Sequence, residues 1–336
     1  MKKLVYFIVF ALVSASMVFA GGSSESAVDV SKSAANVDTH TVAVGAVVIA
    51  RDDVPTDEIY AIVSSIFDNK DAITAQHAKG KELDLAFASS VTAVPYHPGA
   101  AKYFAEKGYK VASIKDGAGN GKASSLSFGT GGDTGTYYGF GSVLAGYVTK
   151  NTPYSVTAVT SGGSKANIED LTSNDVQLGF VQSDVMSYAY NGQRLFDSPV
   201  KGFSVVAALY MEQVQIVTTK SSIASGADLK GKSVSIGAVG SGVYFNAIDV
   251  LTAYGLTEKD IKAVYQSFGD SADSLKDGKI DAAFIVAGAP TTAITDLATA
   301  KTVFLVNIDD AHADSLIAAS PFYSKYTIPA GTYGSK

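Results

Sequence analysis

The sequence has 336 residues, of which 47% are hydrophobic and 17% charged, a globular composition that allows two hydrophobic cores of about 150 residues each. The net charge of −6 argues against a nucleic-acid partner, because phosphodiester binding needs concentrated positive charge. The chain has no cysteine, which excludes disulfides, thiol catalysis and cysteine-ligated metal sites.

The amino-terminal segment predicts export. Residues 1–20 combine two early lysines, an apolar run over Leu4–Val13 and a small-x-small pattern at Val18–Ala20, which together indicate a cleavable signal peptide. An uncleaved anchor is the alternative. A lipoprotein would need cysteine where Gly21 stands, so we expect a periplasmic protein free of lipid. Residues 21–40 are rich in Ser, Ala and Gly and predict a flexible leader.

An apolar, β-branched run predicts a buried strand over Thr41–Ala50. Pro55 and the acidic residues after it predict a helix start, and the helix is expected over Glu58–Asn69. Three shorter helices are predicted over 72–79, 83–88 and 100–107. A polar, glycine-rich stretch over 113–123 then predicts a linker.

Two consecutive units combine a strand, a glycine turn and a helix. The first has a strand at Leu126–Phe128, the turn Gly129–Gly135 and a helix over Thr136–Lys150. The second has a strand at Val156–Val159 and the turn Thr160–Ser164. Such turns expose backbone N–H groups to a small anion.

The remaining chain continues to alternate strands and helices. A third turn, Ala238–Gly242, precedes a helix over 243–254, and further strands are predicted over 176–181, 203–209, 214–218, 233–237, 261–265, 282–286 and 303–306. This alternation predicts an α/β protein with parallel sheets covered by helices on both faces.

Several motifs in order resemble the TAXI-type extracytoplasmic solute-binding proteins of tripartite (TRAP) transporters. These are GTGGDTGTYYGFG, TSGGSKANIEDL, LGFVQSD, YMEQVQIVT, GKSVSIGAVGSGVYFNAIDVL and DAAFIVAGAP, within residues 126–333. The segments TVAVGAVVIARDDVPTDEIYAIVSSIFDN and VPYHPGAAKYFAEKG are similar to the carboxy-terminal part of that family, although they come first here. The sequence therefore resembles a circularly permuted member.

The resemblance implies a two-lobed, type II-like periplasmic binding protein, with hinge strands between the lobes and the ligand in the cleft. We expect one lobe at 41–112 plus 124–210, joined by the linker, and the other at 211–336. The permuted order restores sequence continuity within each lobe, which is expected to reduce the number of chain crossings at the hinge.

Candidate ligand-binding residues lie in the glycine turns, at strand ends and near the presumed hinge. They are Thr130, Gly131, Gly132, Tyr137, Ser161, Ser164, Asn167, Gln182, Asp184, Glu212, Ser241, Gly242, Asn246 and Gly288. Backbone amides and hydroxyls of the turns would hold a carboxylate.

Structural explanations for the same residues stay open. The glycines can serve turn geometry alone, the tyrosine can pack in the core, and the serines and asparagine can cap helices. Asp184 can hold an amino group or cap its helix, and Glu212 can face the cleft or pair with a lysine. Gly288 can line the cleft or serve packing.

We expect a receptor rather than an enzyme. The sequence has no Gly-x-Ser-x-Gly elbow, its P-loop-like segment lacks the first glycine at Asp116 and the hydroxyl at Ala123, and its four histidines have no metal spacing. No catalytic residue, metal or cofactor is therefore assigned. The resemblance implies glutamate, glutamine or a C4/C5 dicarboxylate such as 2-oxoglutarate as ligand, TRAP permease subunits as partners and a monomeric state. A sensory module for a membrane receptor and an enzyme with an unrecognised site are the alternatives.

Overall fold

The fold comes from a computed structural model, which describes residues 33–34, 36–114 and 125–334. The predicted signal peptide, most of the leader and most of the predicted linker lie outside the described residues.

Helices cover both faces of the sheet. They are α1 (Thr56–Phe67), α2 (Lys70–Thr74), α3 (Leu85–Ala88), α4 (Pro98–Glu106), α5 (Thr136–Asn151), α6 (Ser164–Ser173), α7 (Ser183–Asn191), α8 (Val243–Ala253), α9 (Phe268–Lys276), α10 (Thr292–Ala300) and α11 (Asp310–Ala319). Short 3₁₀ helices lie at Ala78–Glu82, Gly226–Leu229 and Glu258–Asp260. No helix among the described residues is both long and apolar enough to cross a bilayer.

The described strands form one mixed sheet. They are β1 (Thr39–Arg51), β2 (Ser125–Gly129), β3 (Ser155–Val159), β4 (Leu178–Gln182), β5 (Phe203–Thr218), β6 (Ser233–Ser235), β7 (Lys262–Val264), β8 (Ala282–Ala287), β9 (Phe304–Leu305) and β10 (Ser324–Ile328). Their order is β3-β2-β4-β1-β5-β8-β6-β7, with β10 beside β1 and β9 beside β5.

Two long antiparallel strands, β1 and β5, connect the two ends of this sheet. The first part of β1 pairs with β10 and its last part pairs with β4, from Ala46↔Gln182 to Ala50↔Leu178. Strand β5 pairs with β1 from Phe203 to Gln213 and with β8 from Gln213 to Val217. Each strand therefore belongs to both halves of the molecule.

The buried apolar side chains form separate cores in the two halves. The first core contains the later part of β1, the earlier part of β5, and residues of β2, β4, α1, α4, α5 and α7. The other half has one core on each face of β8, since Phe284 lies in one and Ile285 in the other. Val42 and Val44 pack in this second half, whereas the predicted lobe boundary placed them in the first. That division into lobes stays a prediction.

The structure corrects two expectations about strands. The segments 203–209 and 214–218 form one continuous strand, because Glu212, Gln213 and Gln215 are buried within the ladder rather than looped out. The sheet is mixed rather than parallel, because β1 and β5 pair antiparallel to each other and to their neighbours.

Candidate ligand-binding site

A cavity of about 80 Å³ lies where the two halves meet, well above the roughly 10–15 Å³ that a cavity needs to hold a water. Its walls are the start of α5, the turn before α6, the end of β4, the middle of β5, the turn before α8, the start of α9 and the end of β8. The lining residues are Gly131, Gly132, Gly135, Thr136, Tyr137, Ser161, Gly162, Gly163, Ser164, Gln182, Glu212, Ala238, Ser241, Gly242, Val243, Ser267, Phe268, Val286 and Ala287.

The fold brings nine predicted site residues to this cavity from separate parts of the chain. They are Gly131, Gly132, Tyr137, Ser161, Ser164, Gln182, Glu212, Ser241 and Gly242. Most follow the carboxyl end of a strand, where α/β sheets place ligand contacts. Their role in binding a ligand stays a prediction.

Thr130 and Asn167 lie behind the cavity wall. The Thr130 hydroxyl donates to the carbonyl of Val159 at 2.6 Å. The Asn167 amide donates to the carbonyls of Thr130 and Phe180, both at 2.7 Å. These bonds hold the first glycine turn against β3 and β4, so both side chains support the turn and do not line the cavity.

Asp184 and Asn246 form a buried layer beneath Gln182. The Gln182 amide donates to Asn246 Oδ1, and Asn246 Nδ2 donates to Asp184 Oδ2 at 3.0 Å and to the Tyr323 hydroxyl at 2.8 Å. Burial raises the pKa of Asp184 to about 6. Gly288 also lies outside the cavity, and its carbonyl accepts from the Thr136 hydroxyl at 2.8 Å.

Several lining residues are not among the predicted site residues. Gly162 and Gly163 lie in a predicted glycine turn, and Thr136 begins a predicted helix, so turn and helix-start patterns could have found these three. Phe268 and Val286, from the half that contains β8, form an apolar part of the cavity wall. No local pattern distinguishes them from core residues.

Glu212 and Tyr137 form a buried polar pair in the cavity. Glu212 is 2% exposed, and its Oε2 accepts a hydrogen bond from the Tyr137 hydroxyl at 2.6 Å. Burial raises the pKa of Glu212 to about 8, although the Tyr137 hydrogen bond opposes that rise. Burial likewise raises the pKa of Tyr137.

Hydrogen-bond donors lie along another part of the wall. Helix α5 begins after Gly135 without a side-chain cap, and Thr136 and Tyr137 of its first turn line the cavity. Ser241 is 8% exposed, and its Oγ has no hydrogen-bond partner among the described residues. A helix start and an unused hydroxyl suit a carboxylate group.

Contacts across the cleft hold the two halves together. The N–H groups of Lys165 and Ala166, at the start of α6, donate to the carbonyl of Gly240 at 3.0 and 3.1 Å. These two backbone N–H groups at the start of α6 therefore already have an acceptor within the protein. Farther out, Arg194 forms an ion pair with Asp249 at 2.8 Å.

Neither arginine lines the cavity. Arg51 pairs with Asp53 on the surface, and Arg194 is used in the ion pair with Asp249. Among the described residues, no group of three or more metal-ligating side chains comes together. The helix start at α5, the serine hydroxyls and the carboxyl group of Glu212 therefore give the cavity wall its polar character.

Comparison with known families identifies the chain. The family described as NMT1-like matches residues 28–108 and 128–336. The chain belongs to the NMT1-like family. The two matched segments lie on either side of the predicted linker. All the residues that line the cavity fall within the second matched segment of this NMT1-like protein.

Solved structures of binding proteins are similar to parts of this NMT1-like chain. The alkanesulfonate-binding protein SsuA from Xanthomonas axonopodis pv. citri, bound to MOPS, is 20% identical over 55% of this chain and 61% of that one, with a TM-score of 0.39. The periplasmic aliphatic sulphonate binding protein SsuA from Escherichia coli is 17% identical over 55% and 56%, with a TM-score of 0.36. The amino acid ABC transporter substrate-binding protein AbpA from Streptococcus pneumoniae, bound to L-arginine, is 14% identical over 55% and 76%, with a TM-score of 0.38. The NMT1-like chain spans less than two thirds of the length of the two sulfonate-binding proteins.

Proposed function

We propose that this protein is a periplasmic solute-binding receptor that captures a small organic anion between its two halves and delivers it to a membrane transporter. The observation that carries the proposal is the cavity between the halves, with Tyr137, Ser164 and Gln182 from one side and Ser241 and Gly242 from the other. A ligand that contacts both sides favours the closed arrangement, as in hinge closure around ligands. The reaction class is transport, and no catalytic step is assigned.

The finer assignment rests on the motif resemblance. We propose a TAXI-type receptor of a TRAP transporter, whose ligand is glutamate, glutamine or a C4/C5 dicarboxylate such as 2-oxoglutarate. Its partners are the permease subunits, and the receptor is a monomer exported by its signal peptide. The uncapped start of α5 and the free hydroxyl of Ser241 support an acidic ligand group.

Contacts between the ends of the described chain support the proposed circular permutation. The N–H of Gly331 donates to the carbonyl of Ala34 at 3.2 Å, and the N–H of Ala330 donates to Asp38 Oδ1 at 2.8 Å. Strand β10 also pairs with the first part of β1. Ends that lie side by side at a surface are compatible with such a rearrangement.

Ligand-dependent thermal unfolding tests the receptor function. A ligand present at 100 times its Kd stabilises the folded protein by about 2.7 kcal/mol, which raises Tm by several degrees. We expect such a rise with at least one of L-glutamate, L-glutamine, 2-oxoglutarate and succinate. Sorbitol, a neutral compound of similar size, serves as the control. Unchanged unfolding with all four of these compounds, followed by no heat in calorimetry, would contradict the proposed ligand class.

A further inference from the structure

Glu212 is a buried carboxyl group that lines the cavity without a cationic partner. Within the described residues, none of the ion pairs includes Glu212. Its Oε2 accepts from the Tyr137 hydroxyl, which leaves further acceptor sites on the carboxylate. A buried carboxylate is stabilised when a positive group or additional donors reach it.

The charged neighbours of Glu212 already have partners, and its other titratable neighbours, Tyr137 and Tyr210, carry no positive charge. Lys79, on the 3₁₀ helix at Ala78–Glu82, forms an ion pair with Glu82, and its ammonium lies 5.4 Å from the centre of the Tyr210 ring. Asp184 of α7 accepts from Asn246 and adds negative charge near Glu212. The fold therefore leaves the positive partner of Glu212 to be supplied by the ligand.

Donors for a carboxylate lie elsewhere on the same cavity. Among the described residues, no side chain caps the start of α5 and none pairs with the buried hydroxyl of Ser241. The cavity thus offers a negative acceptor at Glu212 and donors at Ser241 and the helix start. This polarity matches a zwitterion.

We propose that Glu212, positioned by the hydrogen bond from Tyr137, binds the amino group of the ligand, so that this receptor selects α-amino acids over keto acids and plain dicarboxylates. The inference rests on the proposed function and narrows its ligand class. The α-carboxylate of the amino acid binds at the α5 start and Ser241. A keto acid or a plain dicarboxylate has no ammonium to place against Glu212, and a carboxylate placed there would be repelled, because like charges in a buried site repel.

L-Glutamate and 2-oxoglutarate form the decisive ligand pair, because they share a carbon skeleton and both carboxylates and differ in an ammonium against a keto group. Calorimetric titration of the full chain is expected to give an affinity for L-glutamate at least about 30-fold above that for 2-oxoglutarate, the range of a buried charge contact. Equal affinities, or tighter binding of 2-oxoglutarate, would overturn the proposal while leaving the receptor function intact. Binding of neither compound, nor of L-glutamine or succinate, would overturn both.

The pH dependence gives a second test that needs no variant. Because burial raises the pKa of Glu212 to about 8, an ammonium ligand must displace the proton, and the affinity for L-glutamate should rise from pH 6 to about pH 8. A keto acid that accepts a hydrogen bond from protonated Glu212 would lose affinity over the same range. A fall in L-glutamate affinity between pH 6 and 8 would contradict amino-group binding at Glu212.

Substitution of Glu212 tests whether the preference for L-glutamate depends on that residue. Glu212→Gln is expected to lower L-glutamate affinity by about 30-fold or more and to leave 2-oxoglutarate affinity unchanged or higher, which a general loss of structure would not do. Glu106→Gln is the matched control, because Glu106 is an exposed carboxylate on α4 that does not line the cavity. Undiminished L-glutamate binding by Glu212→Gln would refute the assignment. If that variant does not fold, as judged by circular dichroism, the ligand pair and the pH profile decide.

Discussion

At the residue scale, burial of Glu212 is expected to make the stability of the protein depend on pH. An unfolded glutamate titrates near 4.5, whereas burial raises the pKa of Glu212 to about 8 in the folded protein. Between these values the folded state binds the additional proton, so the contribution of Glu212 to stability is present at low pH and is lost as pH rises towards 8.

Glu212→Gln should therefore stabilise the ligand-free protein at pH 8 more than at pH 5. The difference is on the order of a few kcal/mol at most, since one pKa unit corresponds to about 1.4 kcal/mol. Urea unfolding of both proteins at the two pH values measures it. A stability difference that is the same at pH 5 and pH 8 would show that Glu212 does not titrate in this range.

At the same scale, the polar character of the predicted site residues does not decide which of them line the cavity. Ser161, Ser164 and Ser241 follow strand ends, and all three line it. Asn167 and Asp184 have the same polar character, but they point into supporting networks beneath the wall. Only three-dimensional packing distinguishes the residues that line the cavity from the residues that lie behind them.

At the scale of elements, β5 shows why the central strand was predicted as two. Its apolar run is interrupted by Glu212, Gln213 and Gln215, which are buried and hydrogen-bonded. In a sequence, buried polar residues with partners cannot be told from a loop. The strands with unbroken apolar runs and α5, whose buried Phe140 and Leu144 share the predicted face, were predicted well.

The turn before α8 fits against β4 only because residue 242 is glycine. A Cβ at Gly242 would lie 1.7 Å from Gln182 Oε1 and 2.9 Å from Ser164 Oγ. Gly242→Ala must displace Gln182 from Asn246, and the lost hydrogen bond is worth about 1 kcal/mol. We expect ligand affinity to fall roughly 5-fold, as measured by calorimetry.

Gly146→Ala is the control for that substitution. A Cβ at Gly146 meets nothing within 4 Å, and alanine is favoured over glycine inside a helix by about 0.5–1 kcal/mol. This variant should keep wild-type affinity and gain stability. Wild-type affinity in Gly242→Ala would mean that the turn can move away without weakening the site.

At the scale of the whole molecule, two strands connect the halves. In the described residues the chain passes between halves at β1 and at β5, and the ends of the 115–124 gap, Ile114 and Ser125, both belong to the first half. The expectation that the permuted order has fewer crossings than the usual order stays a prediction. Motif order could suggest the rearrangement, but it could not show where the chain crosses.

The paired strands β1 and β5 are irregular near the point where they pass between the halves. Their register shifts between Ala46 and Val47 and again between Val48 and Ile49. Such irregularities interrupt the ladder and increase local twist, so bending is expected to concentrate there. Amide deuterium uptake over 46–49 should slow when a ligand is added, whereas uptake in β8 should stay the same. Equal protection of both segments would mean that the flexible joint lies elsewhere.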